Sequence, residues 1–190
     1  MKEGQPKTIY LKDYKVPSHL IDETHLHVDI HEEITTVTTR LKVRRNPAAS
    51  MDDVRNLHLD GSSELKTLLV AIDGQDLDGT EYRIDKDRLE IFDVPDAFRL
   101  TTIVEIKPQD NTSLEGLYKS GEMFCTQCEA EGFRNITWYE DRPDVLSKYT
   151  TTIVADKSKY PVLLSNGNDI ERGDEAVSYT HLTLPTKRIV

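Results

Sequence analysis

Apolar and polar residues alternate with a period of two through most of this chain, the period of a half-buried strand. Leu26, Val28 and Ile30 alternate with His25, His27, Asp29 and His31. After a His31-Glu32-Glu33 turn, Val37, Thr39, Leu41 and Val43 alternate with Thr38, Arg40, Lys42 and Arg44. Two such runs around a short polar break predict a β-hairpin with one buried and one wet face. Leu57 and Leu59 predict a short strand. Leu68, Val70 and Ile72 predict another, stopped by the turn dipeptide Asp73-Gly74. Residues 81–95 read as a second hairpin around Asp85-Lys86-Asp87, and Phe98, Leu100, Thr102, Val104 and Ile106 alternate up to Pro108.

Short strands separated by frequent turn signals predict an all-β fold, an antiparallel β-sandwich or a set of curved sheets. No helical pattern of the length a βαβ unit requires lies between them. One short helix is expected at 143–149, with Asp141 as its cap and Pro143 in the first turn, where a missing N–H is harmless. Residues 150–156 (TTTIVAD) and 160–168 (YPVLLSNGN) read as two further strands. Residues 1–7 are assigned as a disordered N-terminus and 8–175 as one β domain. Residues 176–190 are nearly free of acids in an otherwise acidic chain and resemble the translation of a sequencing-adapter read-through. They are set apart as a non-native tail.

The formal charge of −10 over 190 residues changes the picture of partners. An acidic surface repels phosphate backbones, which argues against nucleic acid. No run reaches the roughly 18 apolar residues of a membrane span. The first twenty residues have neither an apolar core nor a small-residue cleavage site, so no secretory leader is expected. The expected location is the cytoplasm, with reduced thiols.

The candidate chemistry gathers at Cys125–Arg134, CTQCEAEGFR, which holds both cysteines. A Cys-x-x-Cys pair is half a tetrahedral zinc site or a thiol–disulfide motif. Zinc needs four ligands and no second pair exists, while a redox pair opens a helix rather than a strand. Buried, inert cysteines are the expectation. His25, His27 and His31 share the polar face of their strand with Asp29 and read as solvated. His31-Glu32-Glu33-Ile34-Thr35 begins like a zincin motif and fails at Thr35, where the second ligand belongs. No metal and no catalytic residue is assigned in this chain.

Alternation also places Gln127, Glu129 and Glu131 on one strand face. Glu129 and Glu131 would then stand about 6–7 Å apart, a separation that overlaps that of glycosidase carboxylates. Such pairs face each other across a sugar, however, whereas these point the same way. An amide oxygen at Gln127 beside a carboxylate at Glu129 suits a primary ammonium ion better: one supplies charge and the other accepts a further hydrogen bond. The residues alone also permit a merely solvated face.

The segment 114–168 carries a resemblance. Leu114-Glu115-Gly116-Leu117-Tyr118, Cys125–Arg134, Asp141-Arg142-Pro143-Asp144-Val145 and Leu164-Ser165-Asn166-Gly167-Asn168 resemble, in register, the N-terminal domain of the aminopeptidase N family of zinc metallopeptidases in its bacterial alanyl form. The looser match upstream extends the resemblance over about residues 8–170. It implies a β-rich, saddle-like domain packed on a thermolysin-like catalytic domain, within an enzyme that removes N-terminal amino acids from peptides. It implies that Gln127 and Glu129 help bind the substrate's free α-amine, and that zinc is a cofactor of the full-length enzyme and is bound outside this chain. The family's zinc helix, its Gly-x-Met-Glu-Asn stretch and its catalytic tyrosine have no counterpart here, so the fragment is expected to be inactive alone. The alternative is a stand-alone β-sandwich binding module without catalysis.

Overall fold

The structure is a computed structural model that describes residues 10–50, 55–175 and 179–186. The described residues form thirteen strands: β1 His19–Ile30, β2 Thr35–Arg45, β3 Leu57–Asp60, β4 Lys66–Ile72, β5 Gln75–Asp76, β6 Tyr82–Asp85, β7 Arg88–Ile91, β8 Ala97–Ile106, β9 Gly116–Ser120, β10 Met123–Gln127, β11 Lys148–Asp156, β12 Glu171–Glu175 and β13 Tyr179–Thr186. Helical structure among them is confined to two 3₁₀ turns, Leu11–Asp13 and Phe133–Asn135. The all-β expectation holds.

An eight-stranded sheet runs in the order β12-β13-β11-β1-β2-β8-β4-β5, beside a three-stranded sheet β3-β7-β6 and the separate hairpin β9–β10. The inward faces follow the alternation. Val37, Thr39, Leu41 and Val43 of β2 are buried, as are Phe98, Leu100, Thr102, Val104 and Ile106 of β8. Leu57, Leu59, Leu89 and Ile91 of the small sheet join Ile21, Leu41 and Trp138 in one apolar core. The two sheets are therefore two layers around a shared interior.

Five features depart from the sequence reading. The register of β4 against β8 shifts between Thr67 and Leu69, so Leu68 is an extra, unpaired residue. Such a bulge turns the following side chains over. Leu68 is accordingly 49% exposed, while Val70 and Ala71 are both buried. Residues 143–149 form no helix: a turn at 143–144 leads straight into β11 at Lys148. Arg142 donates two hydrogen bonds to the Asp144 carboxylate there, which satisfies the turn locally, and a β-branched run follows at once.

Residues 160–168 form no strand either. Pro161 and the Asn166-Gly167 turn bracket the run, no neighbouring strand offers a ladder, and Val162 and Leu164 stand exposed. β1 pairs in parallel with β11, an exception to the otherwise antiparallel pattern that no local sequence signal announces. Finally, Tyr179–Thr186, set apart as tail, has a backbone paired antiparallel with β11 and β12. The assignment of residues 1–7 falls outside the described residues.

Candidate functional site

Strand β10 ends at Gln127, opposite Gly116 of β9. The chain then turns through Glu129–Gly132 into the 3₁₀ turn Phe133–Asn135. The expected strand face carrying Gln127, Glu129 and Glu131 is thus not formed. Glu129 is joined to Ala130 by a cis peptide bond, and Glu131 takes a left-handed φ of 66°. Strand spacing consequently gives no measure of the distance between the two carboxylates, and the dyad argument loses its geometric basis. What the turn does bring together is Gln127 and Glu129.

Glycine and aromatic residues hold this turn to the body. A Cβ on Gly132 would lie 2.5 Å from the Gln127 carbonyl oxygen and 2.8 Å from the Cys128 Cα, so the chain folds back on itself where only glycine fits. Gly132 N–H donates to the Cys128 carbonyl at 3.0 Å. Gly116, at φ +77°, leaves no room for a side chain beside Asn135. Phe133 packs edge-on against Tyr139 and Tyr149, with centroids 5.0 and 5.9 Å away. Arg134 latches the far side: its backbone N–H and Nε donate to Asp141 Oδ2 at 3.1 and 3.2 Å, and Nη2 donates to the Asp141 carbonyl.

On this fixed backbone the two predicted residues are exposed. Gln127 Nε2 donates to the Glu129 carbonyl at 3.0 Å. That bond occupies the amide nitrogen and leaves the amide oxygen as an acceptor. None of the ion pairs among the described residues involves the Glu129 carboxylate, whereas Glu131 lies 3.6 Å from Arg134. A carboxylate and an amide oxygen carried on the same short turn can receive a cation that brings several N–H donors.

The cysteines, expected to be buried, are only partly so, and both are free thiols. Burial, and secondarily the Asp141 carboxylate, push the Cys128 thiol up to about 11. A protonated thiol is neither nucleophile nor metal ligand. His31 stands 3.2 Å from Asp29 and His25 3.7 Å from Glu23. Among the described residues no three His, Cys, Asp or Glu side chains come close enough together to hold a metal ion.

Behind the turn lies a cleft of about 730 Å³ lined by charges of both signs, Arg88, Arg134, Arg142, Asp60, Glu131 and Glu140 among them. Sequence reasoning missed Glu140. It is buried, its Oε2 has no partner, and Arg142 reaches Oε1 only at 3.8 Å. Burial raises its carboxyl to about 7, assisted by the charges of Asp60 and Asp144 and opposed by Arg142. Nothing in Tyr139-Glu140-Asp141 distinguishes by composition the buried acid from the partly buried one that follows it. Arg134 and Asp141 both stand in conspicuous motifs, but their pairing is a tertiary fact.

The sequence profile of the peptidase M1 N-terminal domain matches residues 13–184. The chain is 47% identical over 173 residues to aminopeptidase N of Caulobacter vibrioides, covering 91% of this chain and 19% of that protein. It is 45% identical over 170 residues to aminopeptidase N of Escherichia coli, covering 90% and 19%. The chain thus spans about a fifth of the length of these curated relatives. Among solved structures, Legionella pneumophila aminopeptidase A in complex with aspartic acid superposes with a TM-score of 0.86 at 30% identity, over 92% of this chain and 20% of that one. A Deinococcus radiodurans M1 zinc metallopeptidase mutant bound to a Tyr-Ser-Ala substrate superposes at 0.71 over 88% and 39%, and at 15% identity that likeness concerns the fold alone.

Proposed function

The chain belongs to the peptidase M1 N-terminal domain family, and from that membership we propose that it is the amino-terminal part of a zinc-dependent aminopeptidase, in which it helps bind the free α-amine of a peptide substrate. The observation that carries the proposal is the turn after β10: an exposed Glu129, without an ion pair among the described residues, whose backbone carbonyl accepts the Gln127 amide, on a backbone fixed from both sides. An α-amine has a pKa of about 7.7–8.0 and is largely charged at neutral pH. Anchoring that charge selects the chain end over internal peptide bonds, which is what distinguishes an exopeptidase from an endopeptidase. Zinc, when bound in the catalytic domain, activates water and polarises the scissile carbonyl. The residues of this chain would hold the ammonium and thereby set which bond lies at that centre.

Residues 8–175 constitute the β domain in this reading, and 176–190 a non-native appendage, a boundary checked by sequencing the native gene past Asp174. Val162, Leu164 and Ile170, exposed on a segment without regular structure, give the catalytic domain an apolar surface to cover. The free thiols suit a reducing compartment such as the cytoplasm. No helix among the described residues is long and apolar enough to cross a membrane. Without the catalytic domain the fragment is expected not to hydrolyse aminoacyl anilides.

The test is Glu129→Ala in the full-length enzyme. Truncating one member of a desolvated charge pair costs about 2–5 kcal/mol. kcat/KM for free-amine substrates should then fall by roughly 30- to several-thousand-fold, at tenfold per 1.4 kcal/mol. An unchanged kcat/KM would overturn the proposal.

A further inference from the structure

The hairpin β9–β10, which delivers Gln127 to the site, shares no ladder with either larger sheet. A lone two-stranded hairpin is marginally stable in water, so its orientation depends on what grips it from outside. At its inner end the grip is backbone and glycine, through Gly116, Gly132 and Asn135. At its outer end the Lys119 backbone N–H donates to the Pro108 carbonyl at 3.0 Å, Phe124 packs against the core, and the charged side-chain grip is one carboxylate. Glu32, in the turn between β1 and β2, accepts Lys119 Nζ of β9 at 2.9 Å through Oε2. Its Oε1 accepts Lys159 Nζ at 3.1 Å and Tyr160 Oη at 2.9 Å, both from the segment after β11.

The same partners close a ring around the hairpin. Lys119 pairs across the hairpin with Phe124 of β10 and carries its ammonium over that ring, 5.2 Å from the centroid. Phe124 meets Tyr160 edge-on at 5.3 Å. Three segments distant in sequence therefore converge on Glu32: the β1–β2 turn, the hairpin and the 159–160 segment. An isolated surface ion pair contributes little, but a carboxylate shared by two ammonium groups and a phenol fixes geometry that no single pair would. The bonds from Lys119, Lys159 and Tyr160 hold the Glu32 carboxyl down to about 2, so it remains ionised throughout the working pH range.

We propose that Glu32 is a positioning residue for the amine-binding turn: it clamps the outer end of β9–β10 so that Gln127 and Glu129 meet the substrate ammonium in one fixed orientation. Glu32 does not touch substrate, and the inference rests on the amine-anchor reading given above. Binding geometry held within about 0.5 Å is what such a site requires, and a hairpin pivoting on its inner end loses it.

The experiment combines hydrogen exchange and kinetics on the full-length enzyme carrying Glu32→Ala, Glu129→Ala or both. Expected for Glu32→Ala is exchange at the Phe124–Gln127 amides faster by about tenfold, with the core strands β2 and β8 unchanged, as local opening rather than global unfolding gives. KM for a free-amine anilide should rise by about three- to tenfold, and Glu32→Ala should add no further loss in the Glu129→Ala background, because coupled residues are non-additive. Glu32→Gln, which keeps an acceptor for the phenol but not the charge, should fall between wild type and alanine. Unchanged exchange in the hairpin, or a kinetic loss that adds in full to that of Glu129→Ala, would overturn the clamp. A silent Glu129→Ala would instead overturn the amine anchor itself, a failure visible independently of the exchange measurement.

Discussion

The indole of Trp138 lies so close over Gly61 that a Cβ there would stand 2.2 Å from Cζ3. Trp138 is fully buried, and its Nε1 donates to Thr67 Oγ1 at 2.9 Å. One ring thus ties the end of β3 to the beginning of β4. Gly61→Ala must displace the ring or the chain, and overpacking of this kind destabilises by about 1–3 kcal/mol. Thermal unfolding followed by circular dichroism measures it. A change too small to resolve would mean that the interior yields more easily than this contact implies.

Two buried titratable groups oppose each other in pH. His19 is fully buried, and burial, followed by the charges of His58 and Arg45, lowers its pKa to about 4. Between that value and the usual 6.5 the unfolded chain binds more protons than the fold, so stability rises with pH across this window. Glu140, raised to about 7, does the reverse: between 4.5 and 7 the fold binds more protons, and stability falls as pH rises. From pH 4.5 to 6.5 the slopes largely cancel. Glu140→Gln should unmask a slope of about +1.4 kcal/mol per pH unit from His19, and His19→Asn the opposite slope from Glu140. Urea midpoints between pH 4.5 and 6.5 decide it, and parallel profiles for both variants and wild type would contradict it.

The bulge in β4 separates neighbouring residues into different classes. Leu68→Thr should change stability by less than about 0.5 kcal/mol. Val70→Ala should cost about 1–3 kcal/mol. Denaturant unfolding of the two variants checks the register, and the reverse ranking would place Leu68 inside.

Cys128 should resist alkylation. With its thiol at about 11, roughly one molecule in a thousand carries a thiolate at pH 8. Iodoacetamide labelling at that pH, followed by peptide mass spectrometry, should find it slower by about 100-fold than in the unfolded chain. Labelling at the unfolded rate would refute the inert assignment.

Glu131 and Gln127 provide controls for the amine anchor. The Glu131 carboxylate lies beside Arg134 and lines the cleft. Glu131→Ala should therefore alter kcat/KM of the full-length enzyme by less than about threefold. Gln127→Ala, which removes a hydrogen bond but no charge, should fall between Glu131→Ala and Glu129→Ala. A sensitive Glu131 with a silent Glu129 would move the anchor to the wrong carboxylate.

The fold was legible wherever period-two alternation was backed by burial. β2 and β8 bury the very residues their patterns mark, because each lies in the middle of the large sheet with one face inward. Alternation failed where a backbone event broke its phase. The bulge at Leu68 did so inside a strand, and the turn after Gln127 did so inside the site, where Glu129 and Glu131 continue the sequence pattern after the strand has ended. In 160–168 apolar content imitated a strand that has no neighbour to pair with. Gln127 and Glu129 stood out by residue type and by resemblance to a family. Glu32 and Glu140 did not, since a convergent clamp and a buried acid are made by residues remote in sequence, and local composition records neither.

The parallel pairing of β1 with β11 bears on how the domain is born. β2 follows β1 directly and can seal one of its edges early, but the other edge waits for Lys148–Asp156. At translation speeds of about 5–20 residues per second, a nascent chain carries that open edge for roughly ten seconds. Neighbouring chains on the same messenger would meet it while it is still unpaired, at an edge where an extended segment could add itself to the sheet.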